Sequence, residues 1–218
     1  MNLEPLFDLL TGLRSRAGVF NQYHDVHPDL DLPQGAVVRR ANLRCYLDLL
    51  AGARFILVGE AAGYAGCRFS GIPFTCERQL VGDQPLNWTA GQPLARSSTA
   101  PEPWVERSAT VVWETLGRRR DCLLWNAFPW HPYGDPGPLS NRHPHRDLHQ
   151  GLDVLRCLLS LFSNAEPHAV GRVAQRALEM VGIQAPYIRH PSHGGARRFA
   201  EGVAALRQTP PLIGRKVP

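Results

Sequence analysis

Lysine is almost missing from this chain: of its 24 Lys and Arg side chains only Lys216 is a lysine. The net charge of +5 and a pI near 9.2 are therefore carried by arginine. An excess of positive charge favours a polyanion such as nucleic acid, because phosphate contacts release condensed counterions. GC-rich coding would produce the same arginine bias, so charge alone assigns no partner. Long apolar runs are missing too. None approaches the roughly 20 residues that cross a bilayer, which excludes a helical membrane span, and a composition of 44% apolar and 20% charged residues is that of an ordinary soluble protein. The opening Met1-Asn2-Leu3-Glu4-Pro5 has an early acid and no basic segment leading into an apolar one, so we expect no secretory signal and a cytoplasmic location. Cysteine is scarce and unpaired in pattern. Five residues, Cys45, Cys67, Cys76, Cys122 and Cys157, contain no CxxC, which argues against a disulfide framework and for reduced, mostly buried thiols.

What is present suits one domain. A chain of 218 residues buries enough surface in a single core. We expect a monomer with a helical amino-terminal segment, a core over about residues 40–208 and a loosely held tail from Thr209 to Pro218. Apolar residues recur at helical spacing over Leu3–Leu13 and Asn42–Leu50, with Gly12 and Gly52 at the stops. Phe55-Ile56-Leu57-Val58 is an uninterrupted apolar run, as a strand buried on both faces requires. A Gly/Pro-rich stretch from Gly59 to Pro103 reads as a long loop. Then come a helix over Trp104–Leu116, a strand at Cys122-Leu123-Leu124-Trp125, a helix striped by Leu148, Leu152, Leu155, Leu159 and Phe162, a strand at His168-Ala169-Val170, a helix over Arg172–Val181 and a strand at Tyr187-Ile188-Arg189. Strands alternating with helices predict an α/β fold: a parallel four-stranded sheet covered on both sides. Ligands of such sheets sit beyond the carboxyl ends of the strands.

Three loops open there. The first, Gly59-Glu60-Ala61-Ala62-Gly63-Tyr64, continues to Gly71-Ile72-Pro73-Phe74; small residues let backbone N–H groups approach a ligand, and Glu60 sets a carboxylate at the strand's mouth. Neither the dinucleotide fingerprint nor the P-loop fits its glycine spacing. The second holds Asn126-Ala127-Phe128-Pro129-Trp130-His131. An asparagine amide offers a donor and an acceptor side by side, matching the O4 acceptor and N3–H donor of uracil, although Asn is also a common turn residue. The third, His190-Pro191-Ser192-His193-Gly194-Gly195-Ala196-Arg197-Arg198, offers an imidazole to developing negative charge and small polar groups to a phosphate. A loop histidine satisfied by backbone is the plainer reading of His190.

Together these segments resemble the uracil-DNA glycosylase superfamily. Gly59-Glu60-Ala61-Ala62-Gly63 is similar to the Gly-Glu-Ala-Pro-Gly motif of the thermophile type, Leu123-Leu124-Trp125-Asn126-Ala127 to the strand-end asparagine motif of the main branch, and His190-Pro191-Ser192 to the superfamily's His-Pro-Ser loop. The resemblance implies a three-layer sandwich around a four-stranded parallel sheet. It implies a monofunctional enzyme that flips a deaminated base out of DNA and hydrolyses its glycosidic bond. Glu60 and His190 would be catalytic; Gly59, Ala61, Tyr64, Phe74 and Asn126 would bind the base, Phe74 by stacking; Ser192, His193, Gly194, Arg197 and Arg198 would meet the DNA. No cofactor or metal is expected, since no CxxC begins the thermophile type's iron-sulfur cluster. Ala61 stands where the main branch has a water-positioning Asp, which leaves Glu60 as the nearest carboxylate. Gly63 stands where that branch has the tyrosine that shuts out thymine's methyl, with Tyr64 as the substitute. The wedge leucine is also absent, so Arg197 or Arg198 would fill the gap in the duplex.

Two other classes compete. A base such as hypoxanthine shares uracil's acceptor and donor pair, and a damaged-DNA binder without turnover is compatible with Ala61. A metal-dependent hydrolase could use His131, His143, His145 and His149, but their spacing does not match a helical HExxH and no carboxylate cluster accompanies them.

Overall fold

A computed structural model describes residues 1–81 and 91–206. The predicted loosely held tail, Thr209–Pro218, and part of the long loop after Gly59 lie outside the described residues. The elements in order are α1 (Glu4–Thr11), β1 (Val19–Phe20), α2 (Gly35–Leu49), β2 (Phe55–Ala61), α3 (Cys67–Ser70), α4 (Glu77–Val81), α5 (Arg107–Leu116), β3 (Cys122–Phe128), β4 (His131–Pro132), a 3-10 turn (Leu148–Gly151), α6 (Leu152–Leu161), β5 (Glu166–Val170), α7 (Arg172–Met180), β6 (Tyr187–Ile188) and α8 (Ala196–Ala205).

The main sheet is parallel throughout, in the order β3-β2-β5-β6, and helices flank it as a three-layer α/β sandwich. Phe55 to Val58 are buried on both faces, because a central parallel strand is covered on both sides. The register pairs Gly59 with Asn126 and Val58 with Ala169, so the strand ends that carry the three loops lie side by side. β3 is an edge strand, and the Tyr46 hydroxyl accepts from the backbone N–H of Leu124 at 2.7 Å, giving that N–H a partner where no further strand follows.

Several boundaries differ from those read in the sequence. α2 begins at Gly35 rather than Asn42. Gly35, Val37 and Val38 are weak helix formers, and burial of Arg39 overrides their propensity. α5 begins at Arg107, three residues after Trp104. The long loop contains the short helices α3 and α4, and α8 occupies the end of the third loop. β2 and β3 run on to Ala61 and Phe128, which puts Glu60, Ala61 and Asn126 on strands rather than beyond them. β1 pairs antiparallel with β4 as a separate two-stranded sheet, too short to leave a periodic signal.

One hydrophobic cluster runs from Leu3, Leu6, Phe7 and Leu10 of the amino-terminal segment to Phe199, Val203 and Leu206. Beside it lies a buried ionic cluster. The carboxylate of Asp31 takes both Arg68 (2.5 Å) and Arg39 (3.2 Å), all three side chains being fully buried. The Arg68 guanidinium is sandwiched between the rings of Phe20 and Phe69 at 4.2 and 4.1 Å. Cys67, Cys76 and Cys122 are buried and Cys45 and Cys157 partly so. No helix among the described residues is long and apolar enough to cross a membrane.

Candidate active site

Beyond the carboxyl ends of the parallel strands lies a cavity of about 210 Å³. Glu60, Ala61, Phe74, Asn126, His190, Ser192 and His193 all line it, so side chains up to 133 residues apart converge on one space. Gly59 does not line it, yet it makes the cavity possible: a Cβ there would collide with the tip of the Phe74 ring. Phe74 itself is held at a positive φ of 52°, a conformation that costs on the order of 1 kcal/mol or more for a bulky residue. Its neighbours hold it there. The Ser70 hydroxyl donates to the carbonyl of Thr75 (2.6 Å), and the Trp113 indole N–H donates to the Thr75 hydroxyl (3.0 Å). Gly59→Ala would push the ring out of this seat; we expect the near-ultraviolet circular dichroism of the aromatic residues to change while the far-ultraviolet spectrum is retained.

Asn126 is 3% exposed and its amide nitrogen has no partner. A buried amide left unpaired costs about 1–3 kcal/mol, so it is poised for an acceptor entering the cavity. His190 faces Phe74 with ring centroids 5.9 Å apart. Its Nδ1 accepts the backbone N–H of Ser192 (3.2 Å) and lies 2.7 Å from that residue's hydroxyl. An accepting Nδ1 fixes the neutral tautomer with the proton on Nε2. Burial, helped by Arg189 and His193, pushes its pKa down to about 4, so the ring is a neutral N–H donor at pH 7. Gly195 leaves room for it: a Cβ there would strike the His190 carbonyl oxygen, whereas one on Gly171 would reach only ordinary contact with His190.

Glu60 is 28% exposed at the cavity rim and pairs with Nδ1 of His143 at 2.5 Å. Tyr64 does not line the cavity. Its backbone N–H donates to Asn141 (2.9 Å), and its ring stands edge-on to Trp104, which in turn stacks on Phe69. Gly194 lies outside the lining, and Arg197 and Arg198 are exposed on α8. Arg142, which the sequence did not flag, lines the rim and is anchored to Asp147 (2.6 Å) and to the carbonyl of Gly18 (2.9 Å). Glu106, at the entry to α5, also lines the cavity without any sequence signal marking it.

The histidines of the metal reading do not converge. His131 is buried between the carbonyls of Ala62 (2.8 Å) and Pro138 (2.9 Å), whereas His143 and His145 stack on each other at the exposed surface. Among the described residues no group of three His, Cys, Asp or Glu side chains is arranged to hold a metal ion. No protein-family model and no curated protein matches the chain.

Proposed function

We propose that the chain is a DNA glycosylase that takes one flipped, deaminated base into this cavity, with uracil the favoured substrate, and hydrolyses its glycosidic bond to leave an abasic site. The observation that carries the reading is the unpaired, buried amide of Asn126 opening on a cavity that Phe74 and His190 share. At about 210 Å³ the space is smaller than the roughly 300–1,000 Å³ of sites for drug-sized ligands, which suits a single heterocycle. The resemblance of the three loop motifs to the uracil-DNA glycosylases supports the same reading. The enzyme would act as a monomer on cytoplasmic DNA.

Each residue then has a task. Asn126 pairs with the acceptor and N–H donor of the base, and Phe74 stacks on its face. As the bond between C1′ and N1 stretches, positive charge grows on the sugar and the electron pair leaves with the base. The Nε2–H of His190 donates to O2 of that departing anion. Glu60, at the rim, faces the cationic sugar and orients the water whose oxygen joins C1′. Ser192 and His193 meet the backbone phosphates, with Arg197 and Arg198 close in sequence on α8. Extrusion of the base costs a few kcal/mol, least for a mispaired one, which favours a deaminated base over a paired one.

The test is excision by the purified chain from single- and double-stranded oligonucleotides carrying uracil or hypoxanthine, read as strand cleavage by alkali. Alkali-labile sites at the lesion are the expected result. Gel shifts of damaged DNA with no abasic product on any lesion would make the chain a binder and sink the enzymatic reading.

A further inference from the structure

Glu106 is the carboxyl of the cavity lining with no task so far. Its carboxyl packs behind the strand-end glycines: a Cβ on Gly63 would come within 2.6 Å of Oε1, and one on Gly66 would collide with Oε2. Among the described residues nothing donates a hydrogen bond to that carboxyl or forms an ion pair with it. The backbone around it is firmly placed. The Trp104 carbonyl accepts from Arg78 N–H (3.1 Å), and the Glu106 carbonyl accepts from both the N–H and the hydroxyl of Thr110 (3.1 Å each). An unpartnered carboxyl is thus held against a cavity wall by two glycines that leave space for it.

Depth says what it meets. Asn126, Phe74 and Cys67 form a buried floor, while Asn141 and His193 are exposed at the rim, where the half-buried Glu60 pairs with the exposed His143. A flipped nucleotide stays tethered to the duplex by its phosphates, so the sugar lies at the rim and the base on the floor. Glu106 is half-buried, like Glu60, but its carboxyl is packed behind Gly63 and Gly66 and lies within electrostatic reach of the buried Cys67, on the floor side of the cavity. We propose that Glu106 contacts the base directly, donating its carboxyl proton to the exocyclic carbonyl that deamination creates, and so selects bases with a carbonyl there over bases with an amine. This rests on the glycosylase reading and deepens it. A carbonyl oxygen has two lone pairs; Asn126 supplies a donor to one and Glu106 to the other, while a cytosine amine would meet a donor instead of an acceptor.

The carboxyl must hold its proton near neutrality. Burial alone raises its pKa to about 7. The titratable and charged groups around it are the thiols of Cys67 on α3 and Cys76 before α4, and across the cavity Glu60, Arg142, His190 and His193. Both thiols are raised by burial and stay neutral at pH 7, Arg142 is committed to Asp147, and His190 stays neutral down to about 4. A donor role requires the neutral acid, so selection for a carbonyl is strongest below the Glu106 pKa and fades as pH rises through it.

The probes are matched oligonucleotides containing 2′-fluoro-2′-deoxyuridine or 2′-fluoro-2′-deoxycytidine, which resist hydrolysis, with dissociation constants measured at pH 6, 7 and 8.5. For the wild-type protein the preference for uracil should fall about tenfold between pH 6 and 8.5, the size of one lost hydrogen bond. Glu106→Gln keeps a donor that cannot titrate, so its preference should be retained and flat with pH. Glu106→Ala should sit about tenfold below the wild-type pH 6 preference, flat with pH, and meet the wild type at pH 8.5. A flat wild-type profile, or Glu106→Gln that follows the wild-type pH dependence, overturns the proposal. So does a wild-type preference that grows with pH and is abolished in Glu106→Gln, the pattern of a working carboxylate. Wild-type excision of ordinary uracil with indifferent Glu106 variants refutes this role alone; absence of both excision and uracil preference in the wild type refutes the underlying reading.

Discussion

His190→Ala is expected to slow single-turnover excision of uracil by about 10²–10³-fold, the usual effect of deleting one donor to a developing anion. The ring's geometry sets that size. Because Nδ1 is engaged by the N–H of Ser192, Nε2–H is the only donor the imidazole can offer. A pKa pushed down to about 4 means that the ring does not change charge between pH 5 and 8, so the rate at saturating enzyme should show no inflection near the ordinary histidine value. Substrate affinity should change far less than rate, since the interaction strengthens only as charge develops. Near-wild-type turnover in the variant would remove His190 from the mechanism. Asn126→Asp is a companion test: it replaces the unpaired N–H donor with an acceptor, and we expect loss of uracil binding.

The second large effect concerns stability. Asp31→Asn should destabilise the fold by about 3–5 kcal/mol, the cost of leaving buried charge uncompensated. Asp31 accepts from Arg39 and Arg68 in a fully buried cluster, and the substitution keeps its shape while removing its charge. Arg68 would keep only the pull of Glu77, which already pairs with Arg96 at 3.6 Å. Burial lowers the Arg39 pKa to about 10 against the opposing pull of Asp31, so the interior disfavours this cation even with its partner in place. Urea unfolding at pH 7 reads the difference, and a change below about 1 kcal/mol would show that the cluster relaxes without its centre. Arg39 donates to the Ser97 hydroxyl and Arg68 lies on α3, so the cluster ties α2 to the segment that leads toward Phe74.

The strands were legible because a central parallel strand needs an unbroken apolar run, and Phe55–Val58 and Cys122–Trp125 supply it. Asn126 and His190 were legible for a related reason: polar residues placed where such runs end stand out. Glu106 carries no such mark. An acid at the start of a helix is ordinary, and what makes this one unusual is its desolvation behind Gly63 and Gly66, some 40 residues away in the chain. Tyr64 shows the reverse. Its position beside Gly63 suggested the cavity, but a free aromatic face on Trp104 draws the ring aside. The pairing of Glu60 with His143 was equally out of reach, because it depends on how a Pro-rich loop folds back over the sheet.

The helical amino-terminal segment, ahead of a core expected over about residues 40–208, is woven into the mouth of the cavity. The Trp130 indole donates to the Leu10 carbonyl (3.0 Å), Gln22 donates to that of Pro129 (2.7 Å), and Val19 pairs with Pro132. Pro132 and Arg142 belong to the cavity wall, and Arg142 holds its place through Gly18. Fraying at the start of the chain and slackening of the cavity entrance are therefore one event, and a fragment trimmed to residues 40–208 would surrender the entrance together with its first helix.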